Sequence, residues 1–173
     1  MAKTMGADQF ANMAVISVTE SAANTLTFKK LETGINLFEK LAWIIHRVEY
    51  FPSWSASIFN GTDDQLVFGF STSDQITSVG LAQAACVDFM ELRRLDLGTA
   101  AAGAMYIRPV VKDFTNLPGA GLIMPPNPIF GFAQGTGLAS AAAVSMRIFY
   151  TNLALEPAQY WELVEARRLI ASS

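Results

Sequence analysis

Residues 144–151 read VSMRIFYT, and the alternation in this stretch decides the class of fold. Positions 144, 146, 148 and 150 are apolar or aromatic and face one side, and the other side holds Ser145, Arg147, Phe149 and Thr151. A period of two residues is typical of a strand with two unlike faces, because successive side chains point to opposite sides of a sheet. The stretch therefore predicts a β-strand with one buried face.

Other parts of the chain have the same period. Residues 24–34 predict a half-buried strand with Leu26 and Phe28 on one face. Residues 65–71 predict a clearer one, with Leu66, Phe68 and Phe70 together. Shorter strands are predicted at 104–112, 122–124 and 129–130, among glycine and proline turns. Roughly six to eight strands at this spacing indicate a β-sandwich or barrel.

Two segments leave the choice between helix and strand open. Residues 37–51, LFEKLAWIIHRVEYF, fit either an apolar helical stripe or a strand from about Leu41. In the strand, Trp43 and Ile45 would share one face, and the other would hold Ile44, Val48 and Tyr50. Aromatic and β-branched residues before a proline favour the strand; a helix would favour a mixed α+β fold. Residues 87–93 also fit a strand or a short helix.

The chain divides into an arm and one domain. Residues 1–23 are Ala-rich without firm periodicity, and we predict an N-terminal arm that is ordered only where it meets the body or a neighbour. Residues 24–173 predict a single β-sandwich that includes a C-terminal helix at 157–170. Pro157 suits the first turn of that helix, and its apolar stripe contains Tyr160, Leu163 and Val164.

The composition is unusual for a chain of this size. Only 16% of its 173 residues are Asp, Glu, Lys or Arg, and 51% are hydrophobic, whereas an ordinary soluble domain has about 25% charged residues. The longest apolar stretches are too short to cross about 30 Å of hydrocarbon. We therefore expect much of the surface to be buried against other copies of the chain. The net charge of −3 and the scattered basic residues predict no strong direct binding of nucleic acid.

The sequence nominates no catalytic, metal-binding or cofactor-binding residue. His46 is the only histidine, so one chain cannot build a metal site on several imidazoles. We expect it to be a strand residue with a satisfied ring. Cys86 is the only cysteine, which excludes an internal disulfide, and it is expected to be a small buried hydrophobe. No signal peptide is recognised at the start of the sequence, which fits synthesis in a reducing cytoplasm.

Large aromatic residues are the candidate core or interface anchors, because tryptophan and tyrosine are enriched where interfaces are most tightly packed. These candidates are Trp43, Tyr50, Phe51, Trp54 and Trp161.

Taken together, these elements resemble a single jelly-roll capsid (coat) protein of an icosahedral virus. The segments that carry the resemblance are TLTFKKLETG, LAWIIHRVEYFPSW, DQLVFGF, LPGAGLIMPPNP and SMRIFYTNLALEPAQYWEL, within about residues 24–155. The resemblance implies eight antiparallel strands in two sheets, self-assembly of many copies into a virion shell made in the host cytoplasm, and no catalysis.

The chain departs from many such proteins because it lacks a basic arm, which indicates packaging through other capsid proteins or an inner membrane. Two alternatives come from different functional classes. One is a β-sandwich or barrel that binds an apolar ligand or glycan between aromatic residues. The other is a small enzyme that uses a carboxylate pair with His46.

Overall fold

Two antiparallel β-sheets and one C-terminal helix make up the part of the protein that the structure describes. A computed structural model describes residues 11–35, 40–53, 64–80, 83–93, 110–125 and 128–171. The elements are β1 (Asn12–Thr19), β2 (Thr27–Leu31), β3 (Leu41–Ser53), β4 (Gln65–Ser71), β5 (Cys86–Arg93), β6 (Val110–Asp113), β7 (Leu122–Met124), β8 (Ile129–Thr136), β9 (Ala143–Ala154) and α1 (Pro157–Ala171). The all-β sandwich class that the sequence predicts is confirmed at this level.

The strands are not in chain order within the sheets. In sheet A the order is β1-β9-β3-β6, and in sheet B it is β2-β8-β4-β5. The short β7 pairs with residues 43–45 of β3, and β6 pairs with residues 47–50, so both lie along the same edge of β3. The connection from β1 to β2 and the connection from β8 to β9 therefore both cross from one sheet to the other.

The core between the sheets is built from alternate residues of both. Its large buried members come from β1, β3, β4, β7, β8 and β9, whereas β5 contributes only partly buried residues. The large buried members include Ile16, Trp43, Tyr50, Leu66, Phe68, Phe70, Met124, Ile129, Met146 and Ile148. The alternation seen in residues 65–71 and 144–151 is thus confirmed as the buried face of β4 and β9. Each side chain of this size stabilises the fold by about 1.5–3 kcal/mol when it is fully buried.

Strand β3 resolves the ambiguous segment, and it corrects the predicted faces. The strand begins at Leu41, as favoured, but its pairing with β9 shifts register between Ile45 and Arg47. This bulge at His46 adds one residue, so Val48 and Tyr50 face the same core as Trp43 and Ile45. The prediction that placed Val48 and Tyr50 on the opposite face is wrong, because a strict period of two cannot anticipate an inserted residue.

The segment predicted as an N-terminal arm contains a sheet strand. Strand β1 pairs with β9 over its full length, from Asn12 opposite Tyr150 to Thr19 opposite Ala143. Its inward residues Ile16 and Val18 belong to the core. The sandwich therefore begins earlier than Asn24, because a short stretch of alternating residues acquires its partner only from the far end of the chain. Residues 104–109 of the predicted strand 104–112 lie outside the described residues.

Two glycines leave room for the side chains that pack against them. A Cβ on Gly131 of β8 would lie 2.5 Å from Cε of Met146 and 3.1 Å from Cδ1 of Ile16. Gly137, just after β8, has φ of +73° and leaves room for the carboxylate of Asp64. A positive φ of this size is unfavourable for residues that have a Cβ, and glycine adopts it without that cost.

A buried carboxylate fastens the two crossing connections to each other. Glu20 follows β1, and its Oε1 accepts hydrogen bonds from the backbone N–H groups of Gly135 at 2.6 Å and Thr25 at 3.1 Å. Its Oε2 accepts one from the N–H of Ala142 at 2.8 Å. Asn24 adds a second link, because its side chain both donates to and accepts from the backbone of Leu138. We call this arrangement the Glu20 clamp.

The Glu20 clamp predicts a large loss of stability for an isosteric change. Glu20→Gln turns one accepting oxygen into an N–H₂ donor that faces buried N–H groups, so we expect the free energy of unfolding to fall by about 2–4 kcal/mol. Urea denaturation followed by circular dichroism measures it. Glu32→Gln is the control, because Glu32 is exposed and only pairs with Lys30 at the surface, where a pair contributes about 0–1 kcal/mol. Equal effects of the two changes would contradict this role for Glu20.

Candidate interaction surface

The outward side of sheet A carries three rows of side chains that run across neighbouring strands. The register aligns Val15, Arg147, Glu49 and Val111 in the central row. The row on one side contains Met13, Phe149, Arg47 and Asp113, and the row on the other contains Ser17, Ser145 and Phe51. We call this set of residues the outer face of sheet A.

Two arginines on this face are held in place by their neighbours. Both interact with Glu49: Arg47 forms an ion pair with it, and Nη1 of Arg147 lies 4.0 Å from its Oε2. The guanidinium carbon of Arg147 lies 4.8 Å from the ring centroid of Phe51, and that of Arg47 lies 5.7 Å from that of Phe149. These cation–π contacts orient the cations before any partner arrives, and so lower the entropic cost of a contact.

The edges of the same face expose apolar side chains. Met13 is 56% exposed, Val15 is 51% exposed and Val111, on the opposite edge strand, is 45% exposed. With the half-buried rings of Phe51 and Phe149 they give a mixed surface of apolar residues and oriented charges. Interfaces that form between folded subunits combine aromatic residues and arginine in this way.

The five candidate anchors fall into different places. Trp43 and Tyr50 are core residues, and the Trp43 ring stacks on Tyr150 with centroids 3.6 Å apart. Phe51 lies half-buried on the outer face of sheet A, and Trp161 on α1 is 58% exposed. Trp54 lies outside the described residues. The structure thus separates two core anchors from two surface ones, which residue type alone does not distinguish.

Sequence reasoning missed the polar partners on the face. The alternation in β9 did place Arg147 and Phe149 on the side opposite the core. Nothing in the sequence paired them with Glu49 and Phe51 on β3, because strand neighbours are set by the order of strands in the sheet. The signal available in the sequence was that both apolar strands contain charged residues, Arg47 and Glu49 in β3 and Arg147 in β9.

A second polar group joins the two sheets at the β5–β6 side of the sandwich. The hydroxyl of Tyr50 on β3 donates a 2.7 Å hydrogen bond to Oδ2 of Asp88 on β5. Nζ of Lys112 on β6 lies 3.4 Å from Oδ1 of the same carboxylate. Burial, then the negative charge of Asp88, then the hydrogen bond raise the pKa of Tyr50 well above its usual value. We call this group the Asp88 clasp.

Cys86 begins β5 close to this clasp and is half-buried. Burial raises the pKa of its thiol, the negative charge of Asp88 raises it further, and a hydrogen bond from the Gly80 backbone opposes both. A thiol with a raised pKa is a weak nucleophile at neutral pH, because little of it is thiolate. Its side chain packs against the cluster of Ile76, Ala85 and Phe132, and it is half-buried rather than fully buried as expected.

His46 is a structural residue at the bulge. Its Nδ1 lies 2.9 Å from the carbonyl oxygen of Ala120, and its Nε2 lies 2.8 Å from Oγ1 of Thr151. A carbonyl can only accept, so Nδ1 is the donor. The His46 carbonyl accepts from the N–H of Phe114. The prediction of a satisfied ring is confirmed, and the imidazole ties the 114–121 loop to sheet A.

Among the described residues, no group of three or more His, Cys, Asp and Glu is placed to hold a metal ion. Within the same ranges, no helix has the length and apolar character needed to span a membrane. The chain matches no protein-family model and no curated protein sequence.

The Asp88 clasp predicts a stability that falls at alkaline pH. The raised pKa means that the native state keeps the Tyr50 proton when the unfolded chain, with a tyrosine pKa of about 10, has lost it. The contribution of Tyr50 is therefore fully present below about pH 10 and is lost as pH rises through the native pKa.

We expect Tyr50→Phe to lower the free energy of unfolding by about 1–2 kcal/mol at pH 7 and to flatten its decline above pH 10. Denaturant unfolding at a series of pH values measures both effects. A Cys86→Ala variant removes the contribution of the thiol, because its raised pKa also makes the free energy of unfolding fall at alkaline pH. Parallel pH profiles for wild type and Tyr50→Phe would contradict the assignment.

Proposed function

We propose that the protein is a single jelly-roll capsid subunit that self-assembles, through several contacts between many copies, into a virion shell in the host cytoplasm. In this proposal the chain performs no catalysis and binds no cofactor. Its partners are copies of itself, together with other capsid proteins or an inner membrane that take over genome packaging. The strand order carries the proposal, and the surface supports it.

The strand order supports a jelly roll, which is a long hairpin rolled up into two sheets. With the three-residue β7 set aside, β1 pairs with β9, β2 with β8, β3 with β6 and β4 with β5. The first and third of these pairs lie in sheet A, and the second and fourth lie in sheet B. A long hairpin whose successive strand pairs alternate between two sheets gives this order. Jelly rolls, which include viral capsid domains, are built in this way.

The interior argues against a ligand between the sheets. Tyr50, Phe68 and Phe70 are fully buried and occupy the space between β3 and β4, and Tyr50 packs on Phe68 with ring centroids 5.4 Å apart. A ligand-binding sandwich leaves a cavity that its aromatic residues line. Here aromatic side chains from the two sheets are buried in the core and pack against each other. An assembly function uses the outside of such a sandwich and leaves the core closed.

The surface supplies what a shell contact needs. The outer face of sheet A exposes apolar residues around oriented arginines, and α1 exposes Trp161. The low share of charged residues, 16%, fits a chain that buries more than one surface patch. Many weak contacts act together in a closed shell, so each needs only a small free energy.

Purified protein is expected to form closed particles of uniform diameter far larger than a subunit of 18.7 kDa. Size-exclusion chromatography with light scattering gives the mass, and negative-stain electron microscopy gives the shape. A titration from low to high protein concentration locates the assembly threshold. A monomer that persists over the whole range would overturn the proposal and favour the ligand-binding alternative.

Trp161→Ser is expected to impair assembly without unfolding the subunit. An exposed side chain contributes within about 0.5 kcal/mol to subunit stability, whereas a tryptophan at an interface contributes at least about 2 kcal/mol to association. The assembly threshold should therefore rise by about 30-fold, at an unchanged free energy of unfolding. Glu162→Gln, an exposed neighbour on α1, is the control. An unchanged threshold for Trp161→Ser would remove Trp161 from the interface.

A further inference from the structure

Among the described residues the two sheets have four edges, and three of these edges carry the features by which proteins prevent unwanted strand pairing. Strand β2 has five residues, two of which are Lys29 and Lys30. Strand β5 contains Asp88, Glu91 and Arg93, and its pairing with β4 has a register shift. Strand β6 is four residues long and includes Lys112 and Asp113. Short length, charges and bulges are the known protections of an edge.

Strand β1 has none of these protections. Its eight residues, NMAVISVT, contain no charge and no proline, and they pair with β9 without a register shift. No strand among the described residues pairs with the other edge of β1. An uncharged, regular edge of this length is a template for another strand.

The hydrogen-bonding groups that face this edge follow from the register. Glu20, the residue after β1, donates its N–H to the carbonyl of Ala142 on the β9 side. Backbone groups alternate in direction along an antiparallel strand. The N–H and C=O groups of Met13, Val15, Ser17 and Thr19 therefore point away from β9, toward the open edge. The side chains of Met13 and Val15 lie on the outer face of sheet A and are more than half exposed.

We infer that the open edge of β1 pairs in antiparallel fashion with the β1 strand of a second copy, so that the two sheets A form one continuous sheet across a two-fold axis. Any antiparallel register of two copies of NMAVISVT opposes uncharged residues only, so no like charges meet. The apolar side chains of Met13 and Val15 from both copies would form one strip. The same strand thus supplies both halves of a self-complementary contact.

This inference deepens the proposed function, and it rests on that function for its setting. A single pair of edge strands covers far less than the roughly 1,200–2,000 Å² of a stable interface. It is therefore a weak contact by itself, and it becomes effective where other contacts hold the subunits together. A shell subunit provides such contacts.

The test compares lysine substitutions at two exposed apolar residues. Val15→Lys places a charge on the open edge, where it would meet the second copy of β1, and Leu117→Lys places one in the 114–121 loop, away from β1 and from the outer face of sheet A, at a similar exposure. We expect Val15→Lys to raise the assembly threshold about tenfold or more and Leu117→Lys to leave it unchanged. Light scattering and negative-stain microscopy read the threshold, and circular dichroism of the dissociated subunit confirms that each variant folds.

A competitor extends the test to unaltered protein. A peptide with the sequence of residues 11–20, ANMAVISVTE, should occupy the open edge and inhibit assembly, whereas the same peptide with lysine at the position of Val15 should not. Assembly that Val15→Lys and the peptide leave unchanged would overturn the inference and leave the proposed function standing. Equal loss of assembly in both lysine variants would also overturn it. If the wild type instead formed dimers but no closed particles, and Val15→Lys dissociated those dimers, the result would support the inference and overturn the proposed function.

Discussion

The β-bulge at His46 is the constraint on which the rest of the sandwich depends. Without the extra residue, Trp43 and Ile45 would face one side of β3, and Val48 and Tyr50 the other. Because of the bulge, side chains from both halves of β3, the longest strand, face the same core. Its imidazole hydrogen bonds to Ala120 and Thr151 hold it there, so the sole histidine stabilises a change of register.

Two polar groups then fix the sheets relative to each other. The Glu20 clamp joins the connections that cross between sheets, and the Asp88 clasp joins β5 to β3 and β6. A buried carboxylate is tolerated only where donors surround it, and each of these has its donors from different elements. The apolar core provides most of the stabilisation, while these groups specify how the connections and edges lie.

Strand order decides which residues are neighbours on the surface, as it does in the core. Arg47 and Glu49 of β3 meet Arg147 of β9, a strand far away in the sequence, because β9 pairs with β3 in sheet A. The edges differ as well, since charges, shortness or a bulge protect β2, β5 and β6, but not β1. The unprotected edge of β1 and the exposed Trp161 are the features on which the proposed contacts between copies rest.

The sequence by itself determined the class of fold, because the alternation in residues 65–71 and 144–151 depends only on the two-residue period of a strand. It also determined the C-terminal helix, through Pro157 and the residues that follow. Only the tertiary structure decided the faces of β3, the place of β1 in sheet A and the partners of Glu20. An inserted residue, an edge strand and a buried carboxylate each acquire their meaning from segments up to 138 positions away, as in the pairing of Asn12 with Tyr150, and a local pattern carries no record of such partners.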